Sequence, residues 1–285
     1  MKLHLDCIPC LIRQTLDAAR HLELEPDTAR TLLRRTLQLL PQLDWDLPPP
    51  VIARDIHRAI RELTGDRDPY LRKKLSDTKT ALELLPEIEE IVAASEHPLR
   101  TALMFSIAGN AIDLGAKTAS DVDVHQVFRS ALAKPLNRTA FSRFESAVRD
   151  AGEVLFLSDN AGEVVFDRPL LDRIGREKIT VAVRGAPAIN DATLDDATRS
   201  RITGHFHVIS NGSDTPGTWL RDCSEAFVQR FEKADLVIAE VQGNYESLSD
   251  QSRSIFFLFL AKCAAVADEI GVPMNTYVIR ETRAK

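Results

Sequence analysis

Through the first 150 residues apolar side chains recur every three or four positions, and after Gly152 that period is lost. "PDTARTLLRRTLQLL" puts its leucines on one helical face, with Pro26 near the start and Asp27 in the first turn. "PPPVIARDIHRAI" and "KKLSDTKTALELLPEIEEIVAA" continue the period, and Pro86 predicts a break or kink in the second. "PLRTALMFSIAGNAIDLG" and "NRTAFSRFESAVRDAG" predict two further helices, closed by Gly115 and Gly152. No run before residue 153 reads as a strand.

Beyond that point short β-rich runs recur: "VLFLS" from Val154, "ITVAV" from Ile179, "HFHVIS" from His205, "DLVIA" from Asp235 and "NTYVI" from Asn275. Helical segments separate most of them, which is the mark of βαβ units and a parallel sheet. Their near-continuous apolar character fits a sheet covered on both faces. The expected class is α/β: an all-helical region over residues 1–150, then a Rossmann-like, doubly wound, mainly parallel sheet over 151–285. The two parts are free to share one core. "SIFFLFLAKCAAVA" carries Lys262 and falls short of the roughly 20 apolar residues of a membrane span, so it is expected to form a buried helix.

Composition narrows the function little. The chain has 285 residues, 44% hydrophobic and 27% charged, with a net charge of −6. That balance gives no global basic field for nucleic acid. The opening MKLHLDCIPC has neither a long apolar run nor a small-residue cleavage site, so a cytoplasmic protein is expected. Four cysteines in such a chain argue against a disulfide framework. Cys7-x-x-Cys10 opens a helix, and half a metal site, a redox pair and simple packing all remain open readings. The oligomeric state is not legible.

In an open parallel sheet ligands bind beyond the carboxyl ends of the strands. The first strand ends in Ser158-Asp159-Asn160. Arg184, Asn190 and Asp191 follow the second; Asn211, Ser213 and Asp214 the third; and Glu240, Gln242, Gly243 and Asn244 the fourth. All four loops carry oxygen-bearing side chains, although polar turn formers are common in any loop. Asp159, Asn160 and Asp191 together offer hard oxygen ligands of the kind Mg²⁺ or Mn²⁺ accept. Ala161 and Gly162 open a helix whose free N–H groups suit an anion, with Glu163 on its first turn. Metal and helix start at one strand end form a phosphoryl-transfer arrangement. A dinucleotide Gly-x-Gly-x-x-Gly, a Walker A sequence and a Gly-x-Ser-x-Gly elbow are all missing. An Asp-x-Asp after the first strand is missing too, since Ala161 stands at its third position.

"DNAGEVVFDRPLL", "APAINDAT", "PGT" and "QGNYESL", in this order, resemble the metal-dependent damage-control phosphatase family, first grouped as domain of unknown function 89. "DCIPCLIRQTLDAAR", "DPYLRKKL" and "AGNAIDLG" resemble the N-terminal half of its prokaryotic branch, so the likeness spans nearly the whole chain. The resemblance implies a helical part over a Rossmann-like core and hydrolysis of small phosphorylated metabolites, such as sugar phosphates or damaged cofactor precursors. It implies a divalent ion (Mg²⁺, Mn²⁺, Co²⁺ or Ni²⁺) on Asp159, Asn160 and Asp191, with metal-activated water attacking phosphorus. Asn110 and Asp113 match polar residues of the same site, and at i and i+3 they share a helix face. The phosphate is expected against Ala161-Gly162 and Gly243-Asn244.

One position departs from the family. Where the family usually has Lys-Gly before "QGN", this chain has Glu240-Val241. Glu240 is expected to repel a phosphate, and Val241 not to adopt left-handed backbone. Arg184 is the expected replacement cation, with Lys262 a second candidate and an exposed surface position the plainer reading of Arg184. The alternatives are a protein that binds a metal and a phosphometabolite without turnover and, lower, a carboxyl methyltransferase, which lacks its Gly-rich loop.

Overall fold

A computed structural model describes residues 1–109, 126, 129–131, 134 and 136–282. Asn110 and Asp113 therefore lie outside the described residues. The helical half begins with α1 (Cys7–His21), α2 (Pro26–Leu39) and α3 (Pro49–Thr64). Pro26 sits in the first turn of α2, and Gly65 closes α3 at φ 68°. α4 (Leu71–Ala93) runs through Pro86 without interruption, so of the expected break or kink the break does not occur. Leu84, Leu85, Ile88 and Val92 bury the helix on both sides of the proline, so packing outweighs the one lost hydrogen bond. α5 (Pro98–Gly109) and α6 (Arg138–Asp150) follow, the latter capped by the Asn137 side chain, which accepts from the Ala140 N–H at 3.0 Å.

The sheet has six strands in the order β3-β2-β1-β4-β5-β6. They are β1 (Val154–Leu157), β2 (Ile179–Val183), β3 (His207–Ser210), β4 (Leu236–Glu240), β5 (Ile255–Leu260) and β6 (Tyr277–Thr282). The first five are parallel and β6 is antiparallel to β5. Between them run α7 (Glu163–Ile174), α8 (Leu194–Arg199), α9 (Glu225–Lys233), α10 (Val241–Leu248) and α11 (Ala264–Ile270). The segment expected as a buried helix contains β5. "IFFLFL" is buried at all six positions, and only the residues from Ala264 are helical. A strand covered on both faces has no polar alternation, so periodicity cannot separate it from a buried helix. No helix among the described residues is long and apolar enough to cross a membrane.

Successive residues of β1 point to opposite cores. Val154 and Phe156 join α4, α5, α6 and α7 on one face; Leu155 and Leu157 join α9, α10 and α11 on the other. The helices α1–α3 form a third, smaller core around Leu11, Leu32, Ile56 and Ile60. Charged contacts fasten this unit to the loop after β3. Arg58 binds Asp214 through Nε and Nη2 at 2.9 and 2.5 Å, Arg61 Nη2 meets the same carboxylate, and Arg54 Nη1 reaches Asp222 at 3.2 Å. Burial alone would raise the Asp214 pKa, but the two guanidiniums outweigh it and hold the carboxyl below its ordinary value. Asp214→Ala should therefore lower stability by about 1–3 kcal/mol, read as a fall in the urea midpoint. An unchanged midpoint would show that the clamp contributes nothing.

Candidate active site

β1 and β2 are neighbours, so the residues after them leave the sheet side by side. The chain then draws them together: Asn160 and Asp191 form an isolated antiparallel bridge, and the Ala192 N–H donates to the Asp159 carbonyl at 2.6 Å. The result places Asp159 and Asp191, 8% and 3% exposed, against one guanidinium. Arg184 Nε donates to Asp191 Oδ2 at 2.6 Å and Nη2 to Asp159 Oδ1 at 3.1 Å. Its Nη1 donates to Thr218 Oγ1 at 3.2 Å, and Thr218 donates onward to Asn244 Oδ1 at 2.8 Å. Arg184 is 2% exposed, which excludes the surface reading. Its donors face the two carboxylates and Thr218, so it orients the acids where the sequence led us to expect a phosphate ligand.

Negative charge is in excess here. Burial, and then the neighbouring Asp191 charge, raise the Asp159 pKa well above its ordinary value despite Arg184. Glu163 is raised by burial as well, with Lys262 and the Asn160 amide opposing the shift. Asn160 Nδ2 donates to Glu163 Oε1 at 2.6 Å, a bond that fixes the amide plane. Among the described residues no group of three or more His, Cys, Asp or Glu side chains is disposed to hold a metal ion. Two carboxylates and one amide remain a donor set that suits a hard divalent ion, which takes waters for its other positions.

A cavity of about 350 Å³ opens over this pair. Asp159, Asn160, Asn190, Asp191, Gly243 and Lys262 line it, and α1 and α3 roof it. Four expected site residues lie behind that lining. Gly162 packs against α4, where a Cβ would come within 2.8 Å of Asp77 Cβ. Glu163 and Arg184 support the acids. Asn244 is buried and ties the loop, its Nδ2 donating to the Glu240 carbonyl at 2.7 Å. The Ala161 N–H, expected to meet an anion, donates instead to the Asn190 carbonyl at 2.9 Å. Asn211 and Ser213 serve the loop after β3: Asn211 Oδ1 accepts from the Gly185 and Ser213 N–H groups, and Ser213 Oγ donates to Asp222.

The cavity also takes in residues that sequence reasoning did not place there. Cys7 and Cys10 line it from α1, together with Cys263, Gln14 and Glu246, and Gln242, one of the expected strand-end residues after β4, joins them. All four cysteines of the chain are free thiols. Burial pushes Cys7 up to about 11, so it is a neutral thiol at pH 7. Burial likewise raises Glu246 to about 7, with the Gln242 amide opposing. The available signals were modest: Glu246 stands inside "QGNYESL", and Lys262 was already the alternative cation.

Glu240-Val241 turns out differently from expectation in two ways. Val241 does take left-handed backbone, at φ 67°, and Ile189 beside Asn190 does so at φ 50°. Each β-branched residue held there costs on the order of 1–3 kcal/mol. The Glu240 carboxylate faces away from the cavity, accepts from the Ser106 hydroxyl and lies against Asp167. Asp167 is buried against the Glu240 carboxyl and the Ser106 hydroxyl. Burial, then the Glu240 charge, raises Asp167 well above its ordinary value, and burial raises Glu240 from 4.5 to about 7.

A raised carboxyl keeps its proton in the folded chain after the unfolded chain has lost it. Stability should thus fall as pH climbs from about 4.5 to about 7. Glu240→Gln should flatten that fall and leave the variant the more stable protein at pH 8. Urea midpoints at several pH values test this, and a variant less stable at pH 8 would refute it.

The Damage-control phosphatase ARMT1-like domain matches residues 3–278. A damage-control phosphatase of Archaeoglobus fulgidus is 33% identical over 98% of this chain and 99% of its own. An uncharacterized protein of Methanocaldococcus jannaschii is 32% identical over 98% and 95%. The crystal structure of a DUF89 family protein from Pyrococcus horikoshii superposes with a TM-score of 0.87 and 29% identity, covering both chains fully.

Proposed function

We propose that this chain, which belongs to the damage-control phosphatase ARMT1-like family, is a divalent-metal-dependent phosphatase of small phosphorylated metabolites. One observation carries the reading: two acids 32 positions apart are held by one buried arginine, beside a lysine, at the edge of a ligand-sized cavity. Asp159, Asp191 and the Asn160 side-chain oxygen would hold the ion, which supplies Lewis acidity at the phosphoryl oxygens and lowers the pKa of water.

The chain's own residues do the rest. Arg184 keeps both carboxylates aimed. Lys262 brings a positive charge to a cavity whose other charged lining residues are acids, and so draws in the phosphoryl group. Water adds to phosphorus, the P–O ester bond breaks, and the products are inorganic phosphate and the alcohol. Because Glu240 is turned toward Ser106 and Asp167, no carboxylate from that position opposes the phosphate. That answers the repulsion expected of Glu240; the missing family lysine is the remaining ground for a protein that only binds.

The test is phosphate release from p-nitrophenyl phosphate and hexose phosphates with Mg²⁺, Mn²⁺, Co²⁺ or Ni²⁺, repeated with chelator. Release that needs the metal is expected. Tight binding without release would point to a binding protein.

A further inference from the structure

Asp191 sits on a loop that leaves β2 and turns back on itself. Its base is closed by the Arg184 N–H, which donates to the Ala192 carbonyl at 2.8 Å, and the Asp191 N–H donates to the Ala188 carbonyl at 2.9 Å. Within it Ile189 stands at φ 50°, immediately before Asn190 and Asp191. A β-branched residue stays in that region only where its surroundings over-determine it. Here the surroundings come largely from α3. Arg61 Nη1 donates to the Pro187 carbonyl at 2.7 Å, and Nη2 of the same guanidinium is held by Asp214. His57, one turn earlier on the same face of α3, joins Arg61, Pro69, Tyr70 and Pro187 around Ile189. Ile189 also lines the cavity beside Asn190 and Asp191, whereas Arg61 stands outside that lining.

Resting on the phosphatase reading, we propose that Arg61 is a positioning residue of the active site: it holds the loop after β2 in its strained form and so aims Asn190 and Asp191 into the cavity. Arg184 fixes the Asp191 carboxylate from behind, and Arg61 fixes the backbone from which that carboxylate projects. Asp214, bound by Arg58 as well, keeps the Arg61 fork in place. The charged clamp of the helical unit thus ends on the loop that carries a candidate metal ligand.

Two variants separate positioning from mere attachment. Arg61→Met removes the bond to Pro187, whereas Arg58→Met breaks a comparable contact to Asp214 and leaves the Pro187 bond in place. In the metal-free protein, amide hydrogen exchange at Asp191 and Ala192 should quicken about tenfold in Arg61→Met and stay within about twofold of wild type in Arg58→Met, read against the β2 strand amides, which report the whole fold. The calorimetric Mn²⁺ dissociation constant should rise about threefold or more in Arg61→Met but not in Arg58→Met. At saturating Mn²⁺ its kcat should fall about tenfold with KM nearly unchanged. Adding Ile189→Asn, whose side chain tolerates left-handed backbone, should bring exchange and Mn²⁺ affinity back toward wild type. Equal effects of the two arginine variants, exchange or Mn²⁺ affinity unmoved by Arg61→Met, or no recovery with Ile189→Asn overturns the proposal while the phosphatase reading stands. If wild type neither binds Mn²⁺ nor releases phosphate, that reading falls, and exchange alone decides whether Arg61 holds the loop.

Discussion

Asp159→Ala and Asp191→Ala should each reduce kcat/KM for phosphate release by roughly 10³-fold or more, the scale seen when a group acting directly on the reacting phosphoryl is lost. Each substitution removes a candidate ligand and also unbalances the guanidinium behind it. With Asp191 gone, Arg184 Nε loses its 2.6 Å partner and the remaining acid is no longer held in one orientation. Divalent-ion affinity should fall with turnover, so calorimetry with Mn²⁺ provides a readout independent of catalysis. Asp191→Asn keeps the shape and an oxygen ligand but not the charge, and should lie between wild type and alanine. A tenth or more of wild-type activity in either alanine variant would place the chemistry elsewhere.

Arg184→Ala should lower folding stability by about 3–5 kcal/mol, the range for a buried ion pair broken from one side. The arginine is 2% exposed, and its own pKa is raised even though burial alone would lower it, because the Asp191 and Asp159 charges prevail. Without it two buried carboxylates confront one another. Neutralising them as well, in Arg184→Ala with Asp159→Asn and Asp191→Asn, should restore part of the loss, since the penalty arises from uncompensated charge. Equilibrium urea unfolding checks both statements. A single-variant loss below about 1 kcal/mol would contradict the assigned burial.

The alternation of short apolar strands with helices was legible from Val154 onward, because each of those strands is bounded by turn residues. β5 was not: Ile255–Leu260 is apolar at every position, and nothing local distinguishes a central strand from a buried helix. Pro86 misled in the opposite direction, since a local rule predicted a break that the packing of α4 overrode. In the site, Asp159, Asn160 and Asp191 were legible from strand ends and from the family resemblance. The partners of Arg184 and Glu240 were not, for both depend on where a side chain points. Val241 shows the same limit for backbone: left-handed φ is unfavourable for valine in isolation and is held here by its surroundings.

What the amino-acid order determined by itself was the class of fold and the edge of the sheet at which acids, amides and glycines accumulate, because hydrophobic period and turn chemistry act over a few residues. Tertiary structure alone decided that one arginine binds both acids, that Glu240 turns inward, and that α1 and α3 roof the cavity. The first joins residues on two neighbouring strand ends and the others residues more than a hundred positions apart, and all depend on burial and on electrostatic balance, which exist only once the chain has closed on itself.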